Sequence, residues 1–397
     1  MKNILLRFIQ KLNFIWMLLG VTLILFFLVN FFASCILVFI SDNESYKQVD
    51  KYNNLKTYCY SGSQWVDEYL TELYNCSKDL KWVSYVYWRR QKVSGKHINI
   101  DKYGHRKTWK SDTKISNPVN QKEIKIFLLG GSTMWGEWAR DDYTIPSELA
   151  KLLYNNRIKA RVINLSESGY NSTQELIVLV NEIQKGNIPD IVIFYDGIND
   201  TFSAIQSNKA GIPLNESNRE KAFELEKNIY NLTTEYYKNL IKQLSIYKLI
   251  LVIKSKLVRP QSPDKFIYEN TLSDEVVKTY SSNVNIIENI SNRYNFKLLF
   301  YWQPIIFRKD KLTTYEKIKA KDDYRFEKFY KSVYEAVDKS KVLNSNQNFY
   351  NLSKIFINKE NTVFIDVCHV TEEGNLIIAE KMYLDIKDVI NKPSMAK

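Results

Sequence analysis

The stretch "IKIFLLGGSTMWGE", residues Ile124–Glu137, is a mostly apolar run that ends at two glycines and is followed by two hydroxyl side chains. A short apolar run without alternation is typical of a strand that is buried on both faces. Glycine allows a tight turn and a close approach of the backbone. The stretch therefore predicts a buried strand whose carboxyl end presents Ser132.

Strand and helix patterns alternate along the rest of the chain. Strands are predicted at Arg161–Leu165, Asp190–Gly197, Phe296–Pro304 and Thr362–Asp366, and amphipathic helices around 144–153, 176–183, 277–287, 326–333 and 376–390. Apolar strands that alternate with amphipathic helices imply a parallel sheet covered on both faces. We therefore predict an α/β three-layer domain over residues 119–392, with a helical insertion around 203–270 where the strand pattern lapses.

The N-terminal part contains an uncharged apolar run, Phe14–Ile40, which is longer than the roughly 20 residues that a helix needs to cross a bilayer. Basic residues precede the run, and acidic residues follow it closely, which places the amino terminus in the cytoplasm. The predicted segments are a cytoplasmic tail 1–13, a transmembrane helix 14–40 and an extracytoplasmic juxtamembrane region 41–118. A cleaved signal peptide and lipidation at Cys35 are alternatives, but the length of the run favours a single-pass anchor.

The composition narrows the classes of ligand. The formal net charge is +12, which suits anionic lipid, acidic polysaccharide or nucleic acid. No arginine-rich run or aromatic-plus-basic motif accompanies the charge, so no nucleic-acid partner is expected.

Cysteine and glycine patterns bear on cofactors and disulfides. Cys59 and Cys76 lie in the exported part and could form a disulfide in an oxidising compartment. There is no CxxC pair, and the Gly-Lys-Ser/Thr of a phosphate-binding loop is missing after Gly131. Neither a metal nor an organic cofactor is expected.

Polar residues follow the ends of four predicted strands: Ser132, Gly169 in "NLSESGYNS", Asn199 in "YDGIND", and Asp366 with His369 in "DVCH". Ligands of open parallel sheets bind beyond the carboxyl ends of the strands. Each residue alone has an ordinary structural interpretation, such as a helix cap or a turn. Together they supply a nucleophile, a base with a carboxylate partner and oxyanion donors, which is the set that acyl transfer by a serine needs.

These four blocks resemble those of the SGNH (GDSL-like) hydrolase superfamily over roughly residues 120–390, and the composition suggests a membrane-anchored bacterial member. The resemblance implies a flavodoxin-like three-layer sandwich. It also implies that Ser132 is the nucleophile, His369 the general base and Asp366 its orienting carboxylate. The oxyanion hole would consist of the Ser132 N–H, the Gly169 N–H and the Asn199 amide.

Two residues depart from the family pattern: Gly131 stands where an Asp is usual, and Ser166 where a Gly is common. Neither change removes a catalytic group, so we expect an active enzyme. The expected function is a serine esterase or deacylase acting on ester-linked acyl groups, such as O-acetyl groups, of cell-envelope or extracellular polysaccharide. O-acetyl transfer onto a glycan by the same site and a non-catalytic envelope binding or assembly role remain alternatives, and protein partners are unknown.

Overall fold

The computed structural model describes residues 2–110, 123–226, 229–257 and 271–391. Two compact units divide the chain: Met1–Asn53 with Asn218–Ile267, and Asn54–Ser217 with Tyr268–Lys397. The expected domain boundary at 118/119, the last residue of the expected domain, 392, and positions 258–270 of the insertion lie outside the described residues.

The described residues contain nine strands and fourteen α-helices. The strands are β1 (Leu80–Val83), β2 (Tyr87–Arg90), β3 (Val93–Ser94), β4 (Asn99–Ile100), β5 (Ile124–Gly130), β6 (Ala160–Asn164), β7 (Ile191–Asp196), β8 (Lys297–Trp302) and β9 (Phe349–Asn351). The helices are α1 (Lys2–Tyr58), α2 (Val66–Lys78), α3 (Ser132–Trp135), α4 (Ile145–Asn155), α5 (Ser172–Gln184), α6 (Ile198–Ser207), α7 (Glu216–Glu226), α8 (Ile229–Gln243), α9 (Ser245–Leu257), α10 (Leu272–Tyr294), α11 (Thr314–Asp322), α12 (Tyr324–Lys339), α13 (Lys341–Asn344) and α14 (Glu372–Asn391).

The central sheet has five strands in the order β6-β5-β7-β8-β9, all parallel. The first strand of this sheet, β5, is flanked by the second, β6, at one edge, and β7, β8 and β9 follow in order towards the other edge. This is the flavodoxin-like strand order. Side chains of successive strand residues lie on opposite faces. Phe127, Val192 and Leu298 therefore belong to one apolar core, and Leu128 and Ile193 to the other.

Helices cover both faces of the sheet. Residues of α5, α10 and α12 pack in the first core, and residues of α4 and α14 pack in the second. Full burial of a Phe or Leu side chain contributes about 1.5–3 kcal/mol, so the two cores dominate the stability of this unit. The predicted three-layer α/β/α sandwich is confirmed.

The predicted strand Thr362–Asp366 is wrong. The segment makes only an isolated bridge between Phe364 and Val370. Its backbone donors are used elsewhere, because the N–H groups of Val363 and Phe364 both donate to Glu316 Oε1 at 3.0 Å. The fifth strand is instead the short β9, beside β8.

Residues 54–110, which we treated as a juxtamembrane region, belong to the same compact unit as the sheet. They contain the antiparallel hairpin β1–β2 and the smaller pair β3–β4. The disulfide considered for Cys59 and Cys76 is not formed, since both are free thiols. Cys76 is buried, and its thiol donates instead to the Leu73 carbonyl at 3.2 Å.

The other unit contains most of α1. By length and composition, the apolar span Leu6–Ile40 could cross a membrane. The helix does not end with that span and runs on to Tyr58. Helices α8 and α9 of the insertion also lie in this unit, where Asn30 Oδ1 accepts a hydrogen bond from the Ile246 N–H at 3.2 Å.

Candidate active site

The two glycines after β5 make room for the Ser132 turn. A Cβ at Gly131 would overlap the Nδ2 atom of Asn199, and one at Gly130 would lie 2.6 Å from Met134 Cβ. Ser132 then begins the single turn α3 and is 9% exposed. The family's usual Asp at position 131 would therefore displace the Asn199 amide in this chain, and glycine is the residue that fits.

Ser132, His369 and Asp366 lie together, although Ser132 and His369 are far apart in the sequence. His369 Nε2 is 2.7 Å from Ser132 Oγ. His369 Nδ1 is 2.8 Å from Asp366 Oδ2 and 2.9 Å from Asp366 Oδ1. Because Nδ1 carries its proton and donates it in a hydrogen bond to the Asp366 carboxylate, Nε2 is left as an acceptor for the Ser132 hydroxyl. The three side chains therefore have the arrangement of a Ser-His-Asp triad.

The charges of the pair support the same arrangement. Burial alone would raise the pKa of Asp366, but His369 and the backbone N–H groups of Cys368 and His369 lower it to about 2. Burial would likewise lower the pKa of His369, yet the Asp366 carboxylate outweighs it and holds the histidine pKa well above its ordinary value. An imidazolium that forms during reaction is thus stabilised by a permanently ionised carboxylate.

The predicted oxyanion donors are also brought together. Asn199 Nδ2 donates to the Tyr170 carbonyl at 2.7 Å, which leaves its second N–H available, and it lies against Gly131. Gly169 precedes Tyr170 and has a φ of +82°, which favours glycine. Among the described residues, none accepts a hydrogen bond from the backbone N–H of Ser132 or Gly169.

A buried network beside the triad was missed by the sequence analysis. Glu137 Oε2 lies 3.7 Å from His369 Nε2, the ring nitrogen that contacts Ser132 Oγ. The other oxygen, Oε1, accepts from Arg90 Nη2 at 2.9 Å and from Ser168 Oγ at 2.5 Å. Arg90 also pairs with Glu167. Burial would raise the pKa of Glu137, but Arg90 and His369 lower it, so the carboxylate is charged.

Arg90 is the last residue of β2, in the stretch "VYWRR" (residues 86–90). Trp88, two residues before Arg90, lies 3.3 Å from the position of a Cβ on Gly169, and Leu214 lies 3.2 Å from the same point. These two side chains form walls beside Gly169. The only sequence signal for this network was the pair of arginines that follows Trp88.

A second group of buried carboxyls lies where β7 ends. Asp196 is the last residue of β7, and Asp200 follows Asn199; both are 4% exposed, and Glu175 is 1% exposed. Burial and the neighbouring Asp200 raise the pKa of Asp196 to about 8, and burial raises that of Asp200 to about 6. The pKa of Glu175 is raised well above its ordinary value for the same reason, with Asp196 beside it. At neutral pH the carboxyls of Glu175 and Asp196 are therefore mainly protonated.

One group of potential metal ligands is found among the described residues: Asp366, Cys368 and His369, whose donor atoms lie within 4.8 Å of one another. The donor set does not suit a metal here. His369 is hydrogen-bonded through both ring nitrogens, and burial raises the pKa of the Cys368 thiol to about 11, so no thiolate is offered.

The family model described as GDSL-like Lipase/Acylhydrolase matches residues 126–382. None of the curated proteins matches the chain.

Similar solved structures are esterases. They include the acetyl xylan esterase AlAXEase (13% identity, 66% of this chain and 100% of that chain, TM-score 0.36). They also include esterase EstA from Pseudoalteromonas sp. (14%, 68% and 99%, TM-score 0.34) and the acetylxylan esterase Axe2 from Geobacillus stearothermophilus (15%, 66% and 94%, TM-score 0.34).

Proposed function

Since this chain belongs to the GDSL-like lipase/acylhydrolase family and is a serine ester hydrolase, we propose that its reaction proceeds through Ser132, His369 and Asp366. The observation that carries the proposal is the 2.7 Å contact between Ser132 Oγ and His369 Nε2, with Asp366 on the opposite ring nitrogen. A histidine held in this tautomer is ready to take the serine proton.

In the first half of the reaction, Ser132 Oγ forms a bond to the ester carbonyl carbon while its proton moves to His369 Nε2. The negative charge that develops on the carbonyl oxygen is received by the N–H groups of Ser132 and Gly169 and by the Asn199 amide. The carbon–oxygen bond to the alcohol then breaks, and His369 returns its proton to the leaving oxygen.

In the second half, a water molecule attacks the acylated Ser132 and gives a proton to His369. The acid is released, and the proton returns to Ser132 Oγ. Glu137, which lies on the Nε2 side of the ring, adds a second negative charge near the imidazolium in both halves. The charged Asp366 stabilises the same imidazolium through Nδ1.

We propose that the ester is an O-acyl group, such as an acetyl group, on cell-envelope or extracellular polysaccharide. The expected location of the catalytic unit supports this proposal. An apolar helix long enough to cross a membrane precedes the catalytic unit in the sequence. The basic residues before that helix favour a catalytic unit outside the cytoplasm. External protease added to intact cells is expected to digest the catalytic unit. Protection of that unit until the membrane is opened would contradict this topology.

The hydrolase assignment is tested by following the acyl group. Full-length protein in detergent is incubated with an O-acetylated oligosaccharide, with and without an unacetylated acceptor glycan. We expect free acetate at the same rate in both mixtures. Acetate that appears on the acceptor instead of in solution would show an O-acetyltransferase, and no turnover in either mixture would support a non-catalytic role.

A further inference from the structure

We propose that the β1–β2 hairpin carries a sugar-binding strip that leads a glycan chain to Ser132. The strip consists of Trp82, Tyr85, Tyr87 and Trp88. This inference rests on the proposed function, because it assigns the surface on which the polysaccharide part of the substrate lies.

The rings of Trp82, Tyr87 and Trp88 form a path towards Gly169 and Ser132, and Tyr85 lies in the turn of the hairpin between β1 and β2. The ring centroids of Trp82 and Tyr87 are 5.3 Å apart, and those of Tyr87 and Trp88 are 6.5 Å apart. Trp88 in turn contacts Tyr170, with 5.6 Å between the centroids. Tyr170 follows the oxyanion residue Gly169, so the path ends at the reacting centre.

The inner end of the strip is held rigidly. The Trp88 indole N–H donates to the Ser168 carbonyl at 2.9 Å, and its ring lies beside Gly169. The Tyr170 hydroxyl donates to the Trp88 carbonyl. A fixed ring next to the oxyanion donors can place one sugar so that its acyl group reaches Ser132.

The outer end is exposed to solvent. Trp82 is 68% exposed and Tyr85 is 73% exposed. Flat aromatic faces stack against the C–H faces of sugar rings, which offer apolar area without charge. A run of such faces that continues into a hydrolase site suits an extended, neutral carbohydrate better than a small ester.

The backbone of the hairpin supports a role for the side chains. Tyr85 has a φ of +70° and Tyr87 a φ of +74°. Non-glycine residues adopt this left-handed region at an energetic cost, and such residues cluster at functional sites. A glycine at position 85 would relieve the strain, so the tyrosine is not explained by folding.

The test compares two substrates of the full-length enzyme in detergent. One is a series of O-acetylated xylo-oligosaccharides of increasing length, and the other is p-nitrophenyl acetate, which is too small to reach the outer rings. The measured quantity is the ratio of the two kcat/KM values. We expect Trp82→Ala to lower this ratio about tenfold and to abolish its rise with oligosaccharide length, because one stacked aromatic face is lost.

With Tyr85→Gly, a loss of activity on oligosaccharides cannot be attributed to destabilisation of the fold. It relieves the positive φ and is expected to keep or raise the melting temperature, yet to lower the ratio several-fold. Trp82→Phe should restore part of the loss. Tyr324→Ala is the matched control, because Tyr324 is 66% exposed on α12 and lies outside the strip; its ratio should stay within twofold of wild type.

Three outcomes would overturn the proposal. An unchanged ratio in Trp82→Ala and Tyr85→Gly, with a wild-type enzyme that deacetylates the oligosaccharides, refutes the strip and leaves the proposed function standing. A wild-type enzyme that cleaves p-nitrophenyl acetate but no oligosaccharide refutes both. A loss seen only in vesicle-reconstituted enzyme, and equal for both substrates, would show that the hairpin contacts the bilayer instead of a glycan.

Discussion

Asp366 and Asp196 are two carboxyls of one compact unit that differ in charge. Asp366 accepts hydrogen bonds from two backbone N–H groups and faces His369, and its pKa falls to about 2. Asp196 is buried beside the carboxyls of Glu175 and Asp200, and its pKa rises to about 8. Among the described residues, neither Asp196 oxygen accepts a well-aligned hydrogen bond, and the nearby Glu175 and Tyr280 lower its pKa less than burial and Asp200 raise it. Burial raises the pKa of both carboxyls, so the difference in their pKa values comes from their neighbours. Hydrogen-bond donors and a histidine keep Asp366 ionised, whereas burial and the neighbouring Asp200 keep Asp196 protonated.

The largest effect is expected from removing the charge of the partnered carboxyl. Asp366→Asn should lower kcat/KM for p-nitrophenyl acetate about 10⁴-fold, because the amide no longer holds the required tautomer of His369. The variant also removes the interaction that raises the pKa of His369. Activity requires the neutral imidazole, so the acid limb of the residual pH–rate profile should move to lower pH. A loss below tenfold would show that Asp366 does not orient the base.

The start of α6, next to the buried Asp196, provides the next test. Asn199 lies between Asp196 and Asp200 but directs its amide towards Gly131. Asn199→Ala should lower kcat by about 10²–10³, as expected for the loss of one oxyanion donor. KM should change little, because the donor acts on charge that develops in the transition state. A raised KM with normal kcat would assign Asn199 to ground-state binding.

A substitution at Asp196 is expected to change the stability of the protein more than its catalytic rate. The raised pKa of Asp196, about 8 against an ordinary 3.8, means that the folded protein binds a proton that the unfolded chain releases. The contribution of Asp196 to the free energy of unfolding is therefore fully present below pH 4. It decreases as the pH rises from 4 to 8 and is lost above pH 8. Asp196→Asn should remove this loss, so the variant gains on the order of a few kcal/mol relative to wild type between pH 5 and pH 9.

Guanidinium unfolding at several pH values, followed by tryptophan fluorescence, measures this difference. The difference between wild type and variant is the relevant quantity, because the other titrating groups cancel. A difference that does not change with pH would mean that Asp196 is ionised in the folded protein.

The smallest effect is expected at Glu137, whose charge lies 3.7 Å from His369 Nε2. Glu137→Gln keeps the hydrogen-bonding shape but removes the charge, so the pKa of His369 should fall. The acid limb of kcat/KM should move to lower pH by less than about one unit, with less than a tenfold change on the plateau. Ser168→Ala is the control, since it removes a contact to Glu137 without changing the charge near His369. A larger shift in the control than in Glu137→Gln would contradict this role.

The sequence predicted the parts of the fold that are encoded locally. Strands β5 to β8 are long and apolar, and the four blocks with Ser132, Gly169, Asn199 and His369 carry recognisable residue types. The structure brings all four to one place.

The parts that were missed depend on contacts between distant residues. Strand β9 has only three residues, all half-buried, so its pattern is too weak to detect. The segment Thr362–Asp366 has the sequence pattern of a strand, but two of its backbone N–H groups donate hydrogen bonds to the Glu316 side chain of α11. The pairing of Arg90 with Glu137 joins residues 47 positions apart, and no local pattern reports it.

Chemical labelling tests most directly whether Ser132 is a nucleophile activated by His369. Full-length protein is treated with a fluorophosphonate, digested and analysed by mass spectrometry. We predict a phosphonyl adduct on the peptide that contains Ser132, at a rate reduced by orders of magnitude in His369→Ala and absent in Ser132→Ala. An adduct on another serine, or labelling of Ser132→Ala at the wild-type rate, would contradict the account.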